Sequence, residues 1–575
     1  MEGIQRLRTM DKSEIKIAYF SMEIGFDGDI PTYSGGLGIL AGDTLRSCAD
    51  LEVPICGVTL VSNKGYFIQQ FDKDFNQIEA PNNWKIGDFL EPLKATVTVP
   101  ISGRTVTVKA WKYDLPGITG HKVPIFFLDT DCEENSEEDR KITYYLYGGD
   151  RRYRLFQEVV LGIGGYKMLK KLGFYDIEKF HMNEGHSALL TVELRKDLVS
   201  DSSWDIFEAE VTTKVQNRCV FTTHTPVPAG HDKFSKDLVN EVIGSYLTKH
   251  ELDLLCPDGE MNMTLLALNN SKYINGVAKK HGEVSREMFP GYKIESITNG
   301  VHSSFWCSDA LAVLFDKYLK DWRKDPFTIR NAFSIPPQEI LEAHTENKKK
   351  LITYINEKYD SGMEAGVFTL GFARRITAYK RPFMFFEDME RLKKISEKSG
   401  KIQVVFAGKA HPNDTDGKRI IRDIKLSITK LSPFMKLVFL DNYNINLAKT
   451  IVAGVDIWLN NPQPPKEASG TSGMKASING IPNLSVLDGW WLEGHVENVT
   501  GWSIGDREAL YQNIEVEQKT ELNDLYGKLE KIIIPTYYNK KEDWMRIMQN
   551  CIAFNGSFFN THRMVYQYVA SAYFD

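Results

Sequence analysis

The sequence has few of the features that mark membrane, secreted or nucleic-acid-binding proteins. Its 575 residues contain no run of about 18 apolar residues, which a membrane-spanning helix would need. The N-terminal segment lacks the apolar core of a signal peptide. The net charge is only −6, from 70 Lys and Arg against 76 Asp and Glu, so composition does not indicate a nucleic-acid partner. We therefore expect a cytoplasmic protein that binds neither membranes nor nucleic acid.

Paired cysteines are also missing. The seven cysteines are scattered, their number is odd, and none belongs to a Cys-x-x-Cys motif. This distribution is typical of a reducing compartment and disfavours both a disulfide framework and a zinc site. His231 and Asp232 are adjacent in the sequence, but no third ligand accompanies them, so we expect no bound metal.

The length of the chain exceeds what one hydrophobic core usually supports, which predicts two domains. Short β-branched or aromatic runs alternate with amphipathic stretches, a pattern that predicts an α/β fold with two doubly wound, Rossmann-like domains. The expected buried parallel strands are KIAYFSMEI, ICGVTLV and RCVFTTH in the first half, and GVFTLGFA, IQVVFAGKA, KLVFLDNY and VDIWLNN in the second. Ligands of such domains bind beyond the carboxyl ends of the strands, which we expect to face a cleft.

A domain boundary is indicated where Pro336 and Pro337 precede a long polar helical stretch. We expect an N-terminal α/β domain at 1–330 and a C-terminal α/β domain at 331–550. The last segment, 551–575, contains an amphipathic helix with an aromatic stripe, which is typical of core packing.

The stretch EASGTSGMK (467–475) ends a glycine-rich turn with a lysine. It is not a nucleotide-binding P-loop, because Met474 separates Gly473 from Lys475 and no second glycine has the required spacing. A lysine near cations and a helix N-terminus is expected to have a lowered pKa, and hence some free amine. A free amine beside a phosphate cradle suits pyridoxal 5′-phosphate, whose aldehyde condenses with lysine.

A second glycine turn, TYSGGLGILAGD (32–43), follows the first strand and precedes a helix. Gly35, Gly36 and Gly38 would let backbone N–H groups approach an anion at the helix N-terminus. The G-G-x-G spacing is not the dinucleotide fingerprint. A tight turn without a ligand explains this segment equally well.

A third turn, GFARRITAYKRPF (371–383), concentrates positive charge. Arg374, Arg375, Lys380 and Arg381 lie within eight residues, just after an expected strand. Their mutual repulsion favours a bound anion such as phosphate. The alternative is an exposed basic helix face.

Together these segments resemble the glycogen, starch and maltodextrin phosphorylases. EASGTSGMKASINGIPNLSVLDGW is similar to that family's pyridoxal-phosphate lysine segment, YSGGLG to its glycine turn, RRITAYKR to its cationic turn and FLDNYNINLA to a cofactor-site strand exit. FTTHT and ITNGV resemble its sugar-binding turns, and MNEGHSA and CIAFNGSFFNTHRMVYQYV match further landmarks. The segments keep the family's order from residue 20 to the end, so the resemblance covers nearly the whole chain.

The resemblance implies the GT-B glycosyltransferase architecture, with the C-terminal helix crossing back to the first domain. It implies phosphorolysis of α-1,4-glucan (glycogen, starch or maltodextrin) by inorganic phosphate, releasing α-glucose 1-phosphate with retention of configuration. The implied cofactor is pyridoxal 5′-phosphate, whose phosphate exchanges a proton with the substrate phosphate. Members of the family are often homodimers.

The same resemblance assigns residues to the cofactor and phosphate sites. Lys475 would carry the cofactor as a Schiff base. Arg375 and Lys380 would act catalytically by holding the reacting anions, and Arg374 stands where many members have lysine, which keeps the charge but changes its geometry. Further cofactor contacts are expected from Thr471, Ser472, Gly473 and Tyr443, and contacts to the substrate phosphate from Gly35 and Gly36.

The transferred glucosyl unit is expected to contact Glu467, Ser469, Gly470, His224 and Asn299. Glu467 and His224 would be the catalytic members, because both orient hydroxyls and stabilise an oxocarbenium-like transition state. His224 alone would suit a core histidine, but its position at an expected strand end favours a sugar contact. Glu184 and His186 are further candidates to line the cleft, although helix capping would also explain Asn183 and Glu184.

The chain departs from the family pattern in three ways. Ser472-Gly473 replaces the Gly-Asn of the long members. The chain is much shorter than the animal and plant enzymes and has no room for their N-terminal control segment, so we expect allosteric control to be absent or different. The segment DGWWLEG (488–494) also differs, and Trp490 and Trp491 would serve either as packing or as a sugar platform.

Two other functions are open to such a chain. A retaining nucleotide-sugar glucosyltransferase of the glycogen or starch synthase type would share the fold, but would have no use for Lys475. A catalytically inactive glucan-binding scaffold would tolerate the loss of Arg375 and Lys380.

Overall fold

The computed structural model describes residues 2–9, 11–12, 14–199, 206–227, 230–506 and 514–574. By their internal contacts, the residues of the chain form two compact units. The first unit comprises Met1–Phe67, Pro81–Thr298 and Met564–Asp575, and the second unit comprises Ile68–Ala80 and Asn299–Arg563.

The strands and α-helices of the described residues have the following bounds. The strands are β1 (Ile17–Phe20), β2 (Ile55–Leu60), β3 (Ile68–Phe71), β4 (Gln77–Ala80), β5 (Glu91–Ile101), β6 (Arg104–Pro116), β7 (Lys122–Asp129), β8 (Lys179–Asn183), β9 (Cys219–Thr222), β10 (Lys233–Ser235), β11 (Glu260–Asn262), β12 (Tyr273–Gly276), β13 (Glu295–Ser296), β14 (Phe368–Ala373), β15 (Ile402–Ala407), β16 (Lys436–Leu440), β17 (Ile457–Asn460), β18 (Asn483–Val486) and β19 (Gly501–Ile504). The helices are α1 (Glu2–Thr9), α2 (Gly36–Asp50), α3 (Glu137–Arg140), α4 (Arg151–Val159), α5 (Gly165–Lys171), α6 (Leu190–Val199), α7 (Ala209–Arg218), α8 (Lys236–Ile243), α9 (Lys249–Leu255), α10 (Met263–Asn269), α11 (Lys279–Met288), α12 (Ser303–Trp306), α13 (Asp309–Tyr318), α14 (Pro337–Tyr359), α15 (Met389–Lys398), α16 (Thr415–Leu431), α17 (Ile445–Gly454), α18 (Ser472–Ile478), α19 (Trp491–Gly494), α20 (Ile514–Lys528), α21 (Ile534–Asn539), α22 (Lys541–Asn550) and α23 (Thr561–Tyr568).

The first unit contains a nine-stranded sheet in the order β13-β12-β9-β8-β1-β2-β7-β6-β5. Neighbours from β13 to β7 are parallel, with β1 paired to both β2 and β8. Strands β5, β6 and β7 pair antiparallel. All four positions of β1 and of β9 are buried, as expected for apolar strands covered on both faces. The antiparallel edge is an addition that the sequence pattern does not predict.

The second unit contains a six-stranded sheet in the order β16-β15-β14-β17-β18-β19, and every pair in it is parallel. The strand order reverses between β14 and β17, which defines a doubly wound sheet with a topological switch point. Each of the four runs expected to form strands in the second half does so, as β14 to β17. The parallel strands of these two sheets confirm the predicted α/β class with Rossmann-like topology.

The chain passes into the second unit at Asn299, earlier than the expected boundary at residue 330. The physical reason is helix packing, since α13 lies on α14, and α14 lies on α17 and α22. The segment Cys551–Gly556 packs against α18 and also belongs to the second unit. Only Met564–Asp575 returns to the first unit, where Tyr573 is buried and its hydroxyl lies 2.8 Å from His181 Nδ1.

The second unit also includes a hairpin from early in the chain, Ile68–Ala80, formed by β3 and β4. Two buried glutamines attach it to loops that follow β15 and β16. Gln69 Nε2 donates to Gly408 O at 2.9 Å, and its Oε1 accepts from the N–H of Asn442 at 2.9 Å. Gln77 donates to Ala410 O at 2.9 Å and accepts from Ala410 N at 3.1 Å. These bonds satisfy the buried amides, as buried polar groups require.

None of the described helices combines the length and the apolar composition that crossing a bilayer would require. All seven cysteines are buried free thiols.

Candidate active site

The glycine turn of the first unit is organised by a buried glutamate. Glu23 Oε2 accepts hydrogen bonds from the N–H groups of Ser34 at 2.5 Å and Gly35 at 3.2 Å, and its Oε1 accepts from the Tyr147 hydroxyl at 3.0 Å. A Cβ at Gly38 would lie 2.7 Å from Glu23 Oε2, so close packing requires a glycine there. The sequence analysis missed Glu23, whose only signal is an acidic residue directly after a buried strand.

Gly35 and Gly36 border open space, because a Cβ added at either would meet no heavy atom within 4 Å. Helix α2 begins at Gly36, so its first N–H groups lie at this turn. The Gly35 N–H is already bound by Glu23. The turn therefore leaves the backbone from Gly36 onward as the part available to an anion.

The neighbouring ends of β8 and β9 bring His224 and Glu184 together in the first unit. The Glu184 carboxylate accepts from the N–H of His224 at 2.8 Å and from Thr225 Oγ1 at 3.0 Å. It also accepts from the Gly185 N–H at 3.1 Å, so the capping role is present alongside the link to His224. Glu184 has φ +73°, a strained conformation for a residue with a side chain, of the kind found at functional sites.

The His224 ring is neutral. Burial lowers the pKa of His224 to about 3. Its Nε2 lies 2.6 Å from Asn183 Oδ1, and Asn183 Nδ2 donates to Ser21 Oγ at 3.1 Å, which identifies Oδ1 as the acceptor. Nε2 therefore carries the proton, and Nδ1 has a lone pair for a ligand hydroxyl. Burial raises the pKa of Glu184, against the opposing hydrogen bonds from His224 and Thr225.

His186, the other candidate in this segment, is half-buried beside Asp232. Its Nε2 lies 3.5 Å from Asp232 Oδ2, and burial, reinforced by the charge of Arg154, lowers the pKa of His186 to about 4. The two ring nitrogens of His231 face Thr264 Oγ1 at 2.8 Å and Met288 Sδ at 3.4 Å.

In the second unit, the turns after β14 and β17 meet at the switch point. Arg374 Nη2 lies 2.7 Å from Glu467 Oε2, and Lys380 Nζ lies 3.1 Å and 2.9 Å from the two oxygens of Glu467. Arg381 pairs with Glu521, while Arg375 is exposed. Resident carboxylates thus neutralise part of the positive charge that the sequence analysis assigned to phosphate.

Glu467 is ionised at neutral pH. Burial raises its pKa, but the charges of Lys380 and Arg374, together with their hydrogen bonds, outweigh that effect and hold the pKa of Glu467 below its usual value. Arg374 is 9% exposed, and its Nε and Nη1 are buried without a hydrogen-bond partner among the described residues. An unpartnered buried guanidinium is unfavourable, so these two nitrogens are suited to a further anion.

The glycine-rich turn from Glu467 leads into α18, which carries Lys475. Lys475 is 7% exposed and its Nζ lies 3.8 Å from the centre of the Trp306 ring. A Cβ at Gly473 would lie 2.3 Å from Asn483 Oδ1 and 2.7 Å from Trp490 Cζ2, so only glycine fits there. Trp306 is a neighbour of Lys475 that the sequence analysis did not single out.

The other residues assigned to this turn occupy different environments. Ser472 Oγ accepts from Trp458 Nε1 at 3.1 Å, so its hydroxyl has a structural partner. Thr471 lies at the N-terminal end of α18, and its side chain makes no capping bond. Tyr443 follows β16 and is half-buried. Gly470 has φ +74°, a conformation that favours glycine.

Two of the residues assigned to the sugar present unused polar atoms. Ser469 Oγ and Asn299 Oδ1 are buried and lack a hydrogen-bond partner among the described residues. The Asn299 backbone is held by Arg563, whose Nη2 donates to Asn299 O at 2.8 Å. Buried polar atoms of this kind are normally satisfied, so both are available to ligand hydroxyls.

Trp490 and Trp491 are packing residues. They are 2% and 0% exposed, and Trp490 lies edge-on to Phe559 with ring centres 4.8 Å apart. The alternative of a sugar platform is therefore wrong, because a stacking surface must be accessible to the sugar.

The residues of the second unit fit pyridoxal 5′-phosphate. A buried lysine amine beside an aromatic ring suits the aldehyde, and the unpartnered nitrogens of Arg374 suit a phosphate. The turn that ends in Lys475 begins at Glu467, which contacts Arg374 directly.

Comparisons with known proteins define the class to which this fold and these turns belong. The family model described as carbohydrate phosphorylase matches residues 231–500. Among curated proteins, a maltodextrin phosphorylase of Thermococcus litoralis is 38% identical, over 98% of this chain and 71% of its own length. A glycogen phosphorylase of Aquifex aeolicus is 34% identical, over 97% of this chain and 86% of its own, and one of Mycobacterium tuberculosis is 32% identical, over 97% and 70%. The chain belongs to the carbohydrate phosphorylase family.

Proposed function

We propose that this protein is an α-1,4-glucan phosphorylase that cleaves glycogen or maltodextrin with inorganic phosphate to give α-glucose 1-phosphate, with retention of configuration. The observation that carries the proposal is the turn from Glu467 to Lys475 in a member of this family. It begins at a carboxylate that binds Arg374 and Lys380 and ends at a buried lysine. A synthase of the nucleotide-sugar class has no use for that lysine, and the named relatives do not favour it.

Pyridoxal 5′-phosphate is the proposed cofactor, attached through Lys475, and when bound it supplies a phosphate group that exchanges a proton with inorganic phosphate. Arg374 offers its two unpartnered nitrogens to that phosphate group. Thr471, Gly473 and Tyr443 are the proposed further contacts, whereas Ser472 contributes through its backbone, because its hydroxyl already binds Trp458.

The proposed contacts to inorganic phosphate are the exposed Arg375, Lys380 and the backbone at Gly36. Concentrated positive charge lets two phosphates lie close together, because each anion would otherwise repel the other. Lys380 is shared with Glu467, so its ammonium group ties the phosphate site to the sugar site.

The glucosyl unit is bound by polar groups in defined protonation states. Glu467 is ionised and accepts hydrogen bonds from sugar hydroxyls, and it stabilises positive charge that develops at the reacting carbon. His224 is neutral and accepts a hydroxyl proton at Nδ1. Ser469 Oγ and Asn299 Oδ1 supply the remaining proposed contacts, together with Gly470 and Glu184.

The direct test is incubation with maltodextrin and inorganic phosphate, followed by assay for glucose 1-phosphate. We expect the product to form and the protein to absorb in the pyridoxal region, with borohydride fixing the cofactor on Lys475. Lys475→Ala should lose both cofactor and product, while Lys398→Ala, an exposed charge loss on α15, should keep both. A colourless protein that uses a sugar nucleotide and ignores phosphate would establish the synthase instead. Maltodextrin binding without any product would indicate a scaffold.

We also infer a cytoplasmic location, which the buried free thiols support, and a homodimer, which sedimentation of the full chain tests.

A further inference from the structure

The segment Asp488–Trp490 lies directly against the turn that carries Glu467, and the proposed function gives Asp488 no role. The carboxylate Oδ2 of Asp488 accepts the Glu467 N–H at 2.8 Å. Two positions on, the Trp490 N–H donates to Ser469 O at 2.8 Å. Between them, Gly489 has φ +55°, and a Cβ there would lie 2.3 Å from Ser469 O. Three consecutive residues therefore fix the backbone of Glu467 and Ser469.

We call these three residues, Asp488–Trp490, the brace. Within the brace, Asp488 binds the Glu467 backbone through its side chain. It is 3% exposed, and its Oδ1 accepts the Gly489 N–H at 2.9 Å. The Asp488 carboxylate thus links two segments: Oδ2 binds the N–H of Glu467, and Oδ1 binds the N–H of Gly489. A buried carboxylate held by two N–H groups makes strong, directional bonds.

The backbone of Glu467 determines where its side chain meets Arg374 and Lys380. Those contacts are 2.7 Å and 2.9 Å long, and a shift of about 1 Å in one partner can reduce a catalytic rate on the order of a hundredfold. From this geometry we propose that Asp488 is a positioning residue of the active site, which holds Glu467 and Ser469 in the arrangement needed for glucosyl transfer. The inference rests on the proposed function and adds to it a residue that contacts neither substrate nor cofactor.

The charges around Asp488 give this role a pH dependence. Burial and the nearby negative charge of Glu467 raise the pKa of Asp488 to about 7, while the two N–H groups and Lys380 oppose the shift. Protonation places a hydrogen on one oxygen and removes the negative charge, so the carboxyl accepts its two N–H groups more weakly. The nearby cation Arg374 is itself bound to Glu467. The hydrogen bonds that the Asp488 carboxylate accepts are therefore at full strength above about pH 7 and weaker below it.

The test compares Asp488→Asn with the wild type across pH 5.5–8.5. Asparagine keeps the shape and one acceptor but does not titrate. We expect kcat at pH 8 to fall about tenfold or more, with little change in the KM for phosphate, and the acid-side decline of the wild-type kcat near pH 7 to disappear. Asp388→Asn is the matched control, because Asp388 also accepts a backbone N–H, from Arg391 at 2.9 Å, but is exposed; it should keep the wild-type kcat and pH profile.

A second readout does not depend on activity. Asp488 has a raised pKa in the folded state, so its contribution to stability is present below the unfolded value and is lost as pH rises through about 7. The wild type should therefore lose stability relative to Asp488→Asn between pH 5 and 8 in urea unfolding.

An unchanged kcat and pH profile in Asp488→Asn would overturn the positioning role. If Asp488→Asn does not fold, the wild type alone provides the test. A wild-type kcat that does not decline below about pH 7 would also overturn the positioning role. A wild type that forms no glucose 1-phosphate would contradict the proposed function instead, and the urea experiment would then still report whether Asp488 titrates in the folded protein.

Discussion

Each unit contains a turn that we propose receives an anion, and in each a glutamate with little solvent exposure organises the turn by different means. In the first unit, Glu23 binds the N–H groups of Ser34 and Gly35 and the hydroxyl of Tyr147, which are all neutral donors. In the second unit, Glu467 binds the charged side chains of Arg374 and Lys380. The first glutamate shapes a backbone, whereas the second balances charge.

The difference shows what each turn leaves for a ligand. Around Glu23, the proposed ligand binding would depend on geometry, because Gly35 and Gly36 border open space. Around Glu467, it depends on electrostatics, because Arg374 retains two unpartnered nitrogens after pairing with the carboxylate. Substitutions in the two turns should therefore differ in the size of their effects on stability and in how far added phosphate reverses them.

The largest effect is expected for Glu467→Gln. Removing the carboxylate leaves two buried cations uncompensated, which should reduce the free energy of unfolding by about 3–5 kcal/mol and abolish most turnover. Urea unfolding and the glucose 1-phosphate assay measure the two effects. Inorganic phosphate should restore more stability to this variant than to the wild type, because the freed cations bind it. Glu390→Gln, in an exposed pair with Lys393, should change stability by about 1 kcal/mol or less. An equal loss in both variants would contradict the assigned charge balance.

A smaller effect is expected for Glu23→Gln. The amide can accept only through one oxygen, so some of the neutral donors lose their partner, at about 1–3 kcal/mol in unfolding free energy. Phosphate should not rescue this variant more than the wild type, since no cation is released. The exposed Glu14→Gln serves as the control. Rescue by phosphate equal to that of Glu467→Gln would show that the two turns do not differ as described.

Glu467 and Glu184, the two glutamates proposed to contact the sugar, should respond to pH with opposite signs. The pKa of Glu467 is lowered in the folded state, so its stabilising contribution is present above the unfolded value of about 4.3 and is lost as pH falls through the folded pKa. The pKa of Glu184 is raised, so its contribution is present below that value and is lost as pH rises through the folded pKa.

Urea unfolding of the wild type and both Gln variants from pH 3 to pH 8 measures this contrast. Relative to its variant, the wild type should gain stability with pH for Glu467 and lose it for Glu184. Slopes of the same sign would refute one of the two assignments.

The smallest effect on stability is expected for Gly36→Ala. Nothing lies within 4 Å of the added methyl group, and the residue starts a helix, so the unfolding free energy should change by about 0.5 kcal/mol or less. The KM for phosphate should nevertheless rise, because the methyl group enters the space proposed for the anion. Gly87→Ala, which also adds a methyl group to open space, should leave both quantities unchanged. An unaltered KM in Gly36→Ala would remove Gly36 from the phosphate site.

Much of the fold follows from local sequence. Apolar runs such as GVFTLGFA and IQVVFAGKA predict buried parallel strands, and β14 and β15 are buried at every position. The glycine and cationic turns also follow, since strand ends are where doubly wound sheets place ligands. The antiparallel edge of β5 and β6 does not follow, because their alternating half-buried pattern lacks a continuous apolar run.

The interaction partners of the site residues cannot be predicted from local sequence in the same way. Arg374 and Glu467 are 93 residues apart, and Glu23 and Tyr147 are 124 apart, so no local pattern connects them. The cationic cluster implied an anion, and the structure supplies one from within the chain as Glu467. Asp488 carries no sequence signal either, because its role arises only when β18 brings DGWW back against the preceding glycine turn.

The hairpin Ile68–Ala80 belongs to the second unit but lies, in sequence, between two segments of the first. Neither can be excised as one continuous stretch, since the polypeptide leaves and re-enters each of them. During synthesis, Gln69 and Gln77 emerge long before their acceptors Gly408 and Ala410, which follow 339 and 333 residues later. The second unit therefore cannot be completed by late-synthesised residues alone. A gene cut at Asn299 would leave the β-hairpin in one product and the loops that bind it in the other.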